Sequence, residues 1–110
     1  MGKCTRMVVL HHNFFGNISK CNCCNNLQLT IGNVIIPLTE EEYFEFDEFF
    51  DEVREDFKTE KKTNSKRKEY VVRTSVDNLI LVFSYQELRA TLELLTFATL
   101  MLAVNKLTEV

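Results

Sequence analysis

Two stretches 45 residues apart carry one pattern: GNVIIPLTEEEYFEFDEFF from Gly32 and DNLILVFSYQELRATLELL from Asp77. In each, a Gly-Asn or Asp-Asn pair closes one apolar run and opens another. Such pairs suit tight hairpins because Gly and Asn accept positive φ. The second run ends at Thr39 or Ser84, with Glu42 or Glu87 three residues later. That spacing is a capping box, in which the hydroxyl accepts from the third helical amide and the Glu reaches back to the cap. A chain so written folds as strand–turn–strand–helix twice over. Unit one, about 27–57, uses LQLTI, VIIPL and a helix from Glu40 to Phe57; unit two, about 70–107, uses YVVRTSV, LILVF and a helix from Tyr85 to Lys106. Pro37 falls near its strand's end, where a missing amide donor is tolerated, best at a sheet edge. A further N-terminal hairpin runs through RMVVL and NISKC. The expected fold class is α+β: one antiparallel sheet with two helices, an N-terminal hairpin followed by tandem units in a single domain over residues 1–110. The recurrence reads either as a duplication or as a common motif used twice.

The two helices differ. In the first, Tyr43, Phe46, Phe50, Val53 and Phe57 recur at steps of three and four, marking a buried face that Phe44 and Phe49 widen. The opposite face is acidic from Glu40 to Asp56. Carboxylates in its first turn suit the helix dipole; the remainder repel one another. In the second helix, Leu88, Leu92, Leu95, Thr99 and Leu102 can face the sheet, while Leu94, Phe97, Leu100, Met101 and Val104 occupy the rest of the circumference. A helix apolar on nearly all sides needs cover on nearly all sides. A second copy of the chain supplies that cover, so a homodimer is expected with those five residues at the interface. The alternative is a central helix wedged between the sheet and the Phe-rich helix.

With 45% apolar residues the 110-residue chain has material for a core, and a formal charge of −3 argues against generic nucleic-acid binding. The charges are segregated, however. KTEKKTNSKRKE, residues 58–69, forms a basic linker without an apolar side chain. Its Lys61, Lys62, Lys66, Arg67 and Lys68 are the residues a phosphate backbone would meet. At the N-terminus no apolar run fits a secretory signal, and Arg6 departs from the myristoylation pattern that Gly2 begins. No stretch reaches 18 consecutive apolar residues, so no membrane span is expected and the expected compartment is cytoplasmic.

Reduced compartments favour metal or redox roles for clustered cysteines. In KCNCCNN, Cys21 and Cys24 have Cys-x-x-Cys spacing, and two such thiolates can enter one tetrahedral site if the backbone turns tightly. Asn25 and Asn26 accept the left-handed geometry such a turn demands. Strand-like flanks place the pair at a hairpin tip, as in half of a zinc ribbon. The other ligands are sought upstream. His12 is preferred to His11 because it is closer to the turn, with Cys4 or Cys23 as fourth ligand, which gives a zinc site of Cys21, Cys24, His12 and Cys4. The rival reading is free thiols packed at a turn. Thioredoxin-like chemistry fits poorly, since its Cys-x-x-Cys opens a helix. A cysteine nucleophile would need His11 or His12 beside it.

The Cys-x-x-Cys hairpin, the apolar strand with Gly-Asn and the Thr-capped acidic helix, in GNISKCNCCNNLQLTIGNVIIPLTEEEYFEF, resemble a family of short uncharacterised cytoplasmic proteins from Bacteroidota. That resemblance covers most of the chain and implies no activity. A broader similarity is to secretion-chaperone-like domains, small acidic dimers whose usual first helix this chain lacks.

These features lead to an expected role as a non-enzymatic protein-interaction or regulatory module, homodimeric and partnered by another protein, with zinc or thiols in its hairpin. The alternatives are a nucleic-acid-associated zinc protein using the basic loop and, third, a cysteine-dependent enzyme.

Overall fold

The computed structural model of the chain describes residues 7–59 and 70–108. Four strands, β1 (Met7–His12), β2 (Gly16–Cys21), β3 (Leu27–Ile31) and β4 (Val34–Leu38), form an antiparallel meander in chain order. Helices α1 (Glu40–Glu48) and α2 (Asp51–Thr59) follow, then a ribbon of β5 (Tyr70–Arg73) and β6 (Ile80–Phe83), and finally α3 (Tyr85–Thr108). The fold class is α+β with antiparallel sheets, as the alternation and capping signals require.

Both units are present, and both caps close. Thr39 Oγ1 accepts from the Glu42 amide at 3.1 Å while the Thr39 amide donates to the Glu42 carboxylate at 2.8 Å. Ser84 and Glu87 repeat the exchange at 3.2 and 2.9 Å. The turn residues behave as expected, Gly32 at φ 56° and Asn78 at φ 62°. Pro37 lies on β4, an edge strand of the meander.

Three expectations are corrected. First, β5 and β6 form a two-stranded ribbon of their own rather than joining the larger sheet. Their Val72, Leu81 and Phe83 turn into the common core instead. Strand periodicity gives the buried face of each hairpin but not its neighbour, so one sheet and two read alike in sequence.

Second, the acidic helix breaks at Phe49 and Phe50. The amides there tighten onto carbonyls three residues back, Phe49 to Phe46 at 3.2 Å and Phe50 to Asp47 at 3.0 Å. Phe50 lies fully in the core, its ring 5.4 Å from Phe46 and 6.1 Å from Phe83. Arg54 then reaches back over the joint. Its guanidinium donates to the Asp47 carbonyl at 3.2 Å and to the Asp51 carboxylate at 2.6 Å, and pairs with the Asp47 carboxylate. A cation at the C-terminal end of α1 satisfies carbonyls left over there and offsets local acid repulsion.

Third, Leu94 does not face outward. It is completely buried, with Leu88, Leu95, Ala98 and Leu102, so it belongs to the core and not to an interface. The helix is rolled so that Leu92 is half-buried and Thr99 meets the phenol of Tyr43. The Tyr43 side chain comes from α1, so α3 is flanked by the first helix as well as backed by the sheet. By length and composition Tyr85–Leu107 is apolar enough to cross a membrane, with a mean hydropathy of 1.3. Its inner face, however, fills the core of this domain from Leu88 to Leu102.

Candidate metal centre

The β2–β3 connection is a knuckle. Cys21 ends β2, its amide donates 2.8 Å to the Asn26 carbonyl, and Asn25 takes the left-handed conformation at φ 59°. An L-residue rarely adopts that φ, and Asn does so more readily than most. The tight return brings the thiols of Cys21, Cys23 and Cys24 together, all three sulfur atoms within 4.8 Å of one another. Cys21 Sγ is 3.2 Å from Cys23 Sγ, longer than the roughly 2.05 Å of a disulfide. Four thiolates around zinc at about 2.3 Å stand roughly 3.8 Å apart, a spacing within the 4.8 Å span of this cluster. Cys21 is buried whereas Cys23 and Cys24 are exposed, giving the cluster a fixed inner wall and a solvent-facing mouth. These three side chains lie close enough to hold a metal ion.

The sequence-derived ligand set is altered in its members. Cys21 and Cys24 come together as the Cys-x-x-Cys spacing requires, and Cys23 joins them. His12 does not. It pairs with Asn17 near the β1–β2 turn, whereas Cys21 pairs with Met7 at the other end of the same hairpin. Four strand residues, about 13 Å, separate the two positions. The expectation for His12 failed because proximity was judged along the chain, and an antiparallel strand runs away from the turn that follows its partner. Cys4 lies outside the described residues.

His11 has a different role. A register shift between Val9 and His11 leaves Leu10 without a paired partner and turns His11 to the side of Ile18, the sheet face that α3 covers. Its Nε2 donates to the Glu93 carboxylate at 2.7 Å, and its ring stacks on Phe97 with centroids 4.3 Å apart. The hydrogen bond from His11 holds the Glu93 carboxyl below the usual range, assisted by the Asn13 amide. Sequence reading missed Glu93, because a bulge leaves no mark in the alternation. A cavity of about 270 Å³ opens beside Glu93 between Asn13, Gln86 and Arg89. It is at the opposite end of β1 from the thiols, so neither histidine can serve them as a base.

Among the expected interface residues, Phe97 is 43% exposed, Leu100 57%, Met101 38% and Val104 44%. Leu107, which the sequence reading left out, continues the stripe. Lys61, Lys62, Lys66, Arg67 and Lys68 lie outside the described residues.

A small antiparallel α+β domain with a triple-thiol knuckle at one end and an uncovered apolar helix face is the class that fold and site define. The chain belongs to DUF6686, a family of unknown function whose model matches residues 3–108. No curated protein and no solved structure matches it.

Proposed function

We propose that this chain is a non-enzymatic protein-interaction module of the cytoplasm, homodimeric through the outer face of α3, with a zinc ion in its cysteine knuckle. The observation that carries the reading is a change of character along that face. Gln86, Arg89 and Glu93 occupy its first half; Phe97, Leu100, Met101, Val104 and Leu107 occupy the second, all exposed. Their spacing draws one stripe over the last turns of the helix. At the exposures found, the stripe presents on the order of 500 Å² of apolar surface, the upper range for the largest patch on a monomer. Val8, exposed on the sheet face that α3 covers, adds to it.

A second copy is the occupant this stripe suits. Two such helices related by a two-fold axis present the same apolar side chains to each other, and together they bury about 1,000 Å², the threshold for a specific interface. The acidic surface of α1 and α2 repels polyanions and leaves the dimer's other faces for a protein partner of opposite charge. Zinc is supported by the donor set, three soft sulfur donors gathered within 4.8 Å of one another.

Native mass spectrometry of protein purified without chelator tests both parts at once. The expected spectrum shows twice the 12.9 kDa chain mass with one zinc per chain. Leu100→Glu is expected to yield monomers that keep their circular dichroism and their metal. A wild-type protein that stays monomeric at micromolar concentration overturns the dimer; one that carries and accepts no zinc overturns the metal.

A further inference from the structure

Two sheet edges lie unpaired beside one another in this molecule. β4 is the last strand of the meander and β6 the last of the ribbon, and among the described residues no strand joins them. A cavity of about 350 Å³ separates them where Val34 and the turn at Gly32 and Asn33 face β6. All of β6, Ile80–Phe83, lines it. Successive side chains on a strand point to opposite faces, so a cavity touching every one of them meets the main-chain edge itself. A second cavity, about 420 Å³, lies between Pro37 and Leu38 at the end of β4 and residues 75–77 of the β5–β6 turn.

The hydrogen-bond phase of each hairpin fixes which main-chain groups face this gap. The Thr74 amide donates to the Leu79 carbonyl at 3.3 Å, which marks that pair as a bonded rung. In an antiparallel ladder bonded rungs recur every second residue. They fall next at Val72 with Leu81 and at Tyr70 with Phe83. Ile80 and Val82 therefore turn amide and carbonyl away from β5, toward the cavity. On β4 the two-residue turn closes on a bonded pair, Ile31 with Val34, so Ile35 and Pro37 face out. Pro37 has no amide to donate. The β6 edge is a complete template, and the β4 edge is a blunted one.

We propose that β6 receives an extended segment of a protein partner as an added antiparallel strand, an apolar β-branched stretch followed by lysine or arginine. This rests on the part of the reading above that gives the chain a protein partner, and on neither the dimer nor the metal. Main-chain bonds to Ile80 and Val82 supply the attachment, and contacts of alternate side chains supply the selectivity. Guest side chains level with Leu81 and Phe83 enter the cavity toward Phe15 and Ile31. Those level with Ile80 and Val82 lie on the outer face of the ribbon, where Ile80, Val82 and Val71 are all exposed. An antiparallel guest ends beside the start of β6. There Asp77 and, across the second cavity on α1, Glu45 are exposed, with Glu42 beside them. Those carboxylates select a cationic C-terminal end.

The test titrates the full 110-residue chain with a capped synthetic peptide, threonine-valine-threonine-valine-lysine-lysine, followed by amide NMR. Saturable binding is expected, with the Ile80 and Val82 amides shifted and slowed in exchange. Replacing both lysines by glutamate should weaken binding at least about 10-fold. Val82→Pro removes one outward donor and keeps the bonds to β5, as Pro37 does on β4, and should weaken binding about 3- to 10-fold at unchanged circular dichroism. A second measurement needs no variant. The peptide N-methylated at alternate amides in the phase that faces β6 should bind at least about 10-fold more weakly than in the opposite phase. No binding at millimolar peptide, or equal binding in both phases, overturns the added strand. Equal binding of the glutamate peptide overturns the cationic partner. Protection of Ile80 and Val82 that rises with protein concentration alone assigns the edge to a second copy and overturns the proposal too. A chain that stays monomeric and metal-free in native mass spectrometry yet binds the peptide fails the earlier assembly and zinc readings and keeps this one.

Discussion

The phenol of Tyr43 on α1 donates to the main-chain carbonyl of Leu95 on α3 at 2.8 Å, and the Thr99 hydroxyl completes it at 2.9 Å. With its own proton committed to Leu95, the Tyr43 oxygen accepts from Thr99. This polar pair lies within an apolar contact between the helices of the two units, and it fixes their relative height.

Tyr43→Phe keeps the shape and loses the bonds. It is expected to lower stability by about 1–2 kcal/mol, read as a lower urea midpoint at unchanged slope. Burial raises the Tyr43 pKa above its ordinary value of 10.0. Its contribution is therefore complete below pH 10 and is lost as pH rises beyond that, when the unfolded chain ionises and the native one does not. Wild type should lose stability above pH 10 more steeply than Tyr43→Phe; matching alkaline limbs would show that the phenol is solvated.

The sign reverses for Glu93. Its folded pKa lies below the ordinary 4.5 because His11 donates to the carboxylate. The resulting stabilisation is present above 4.5 and disappears as pH falls through the lowered value. At 44% exposure the effect is small. Glu93→Gln should flatten the acid limb of the stability profile, and His11→Ala should do the same, since one bond underlies both. If both variants track wild type down the acid limb, the pair contributes nothing measurable in solution.

Leu94 marks the core side of a helix whose other side carries the exposed apolar stripe. Leu94→Ala empties a fully buried site and should cost about 2–5 kcal/mol without converting dimers to monomers. Leu100→Glu should do the opposite. Equal effects of the two on mass and on melting would mean that the helix is rolled differently.

The knuckle depends on Asn25 at φ 59°. Asn25→Gly should be near neutral, and Asn25→Ala should cost about 1 kcal/mol and weaken metal binding. Gly16 gives a steric counterpart, since a Cβ there would stand 1.8 Å from the Thr30 carbonyl oxygen. Gly16→Ala should force β2 and β3 apart, visible as fast amide exchange confined to that pair.

Arg54→Ala should release the joint between α1 and α2. The loss is about 1–3 kcal/mol for bonds made by a charged donor. Arg54→Lys restores only part of it, because one ammonium cannot reproduce the fork that reaches the Asp47 carbonyl and both carboxylates. Full recovery by Lys would reduce the contact to simple charge.

Much was legible in the sequence because it is local. Hairpin residues, two capping boxes, the period of Tyr43, Phe46 and Phe50, and the Cys-x-x-Cys return each act within a few residues, where dihedral preference and side-chain reach decide the outcome. The helix break at Phe49 was not legible, since every residue there is an acceptable helix former. At that break Phe50 packs against Phe83, a residue 33 positions away.

What this sequence determined by itself is the strands, the turns, the capped starts of α1 and α3 and the approach of Cys21 to Cys24. Tertiary structure alone decided that β5–β6 stands apart from the meander, that Leu94 turns inward while Phe97 does not, and that Cys23 replaces His12 beside the other thiols. The physical reason is common to all three. Propensity and hydrogen bonding at short range fix the form of an element, whereas its rotation and neighbours follow from packing against residues distant in the chain, as the bulge at Leu10 does when it turns His11 onto α3.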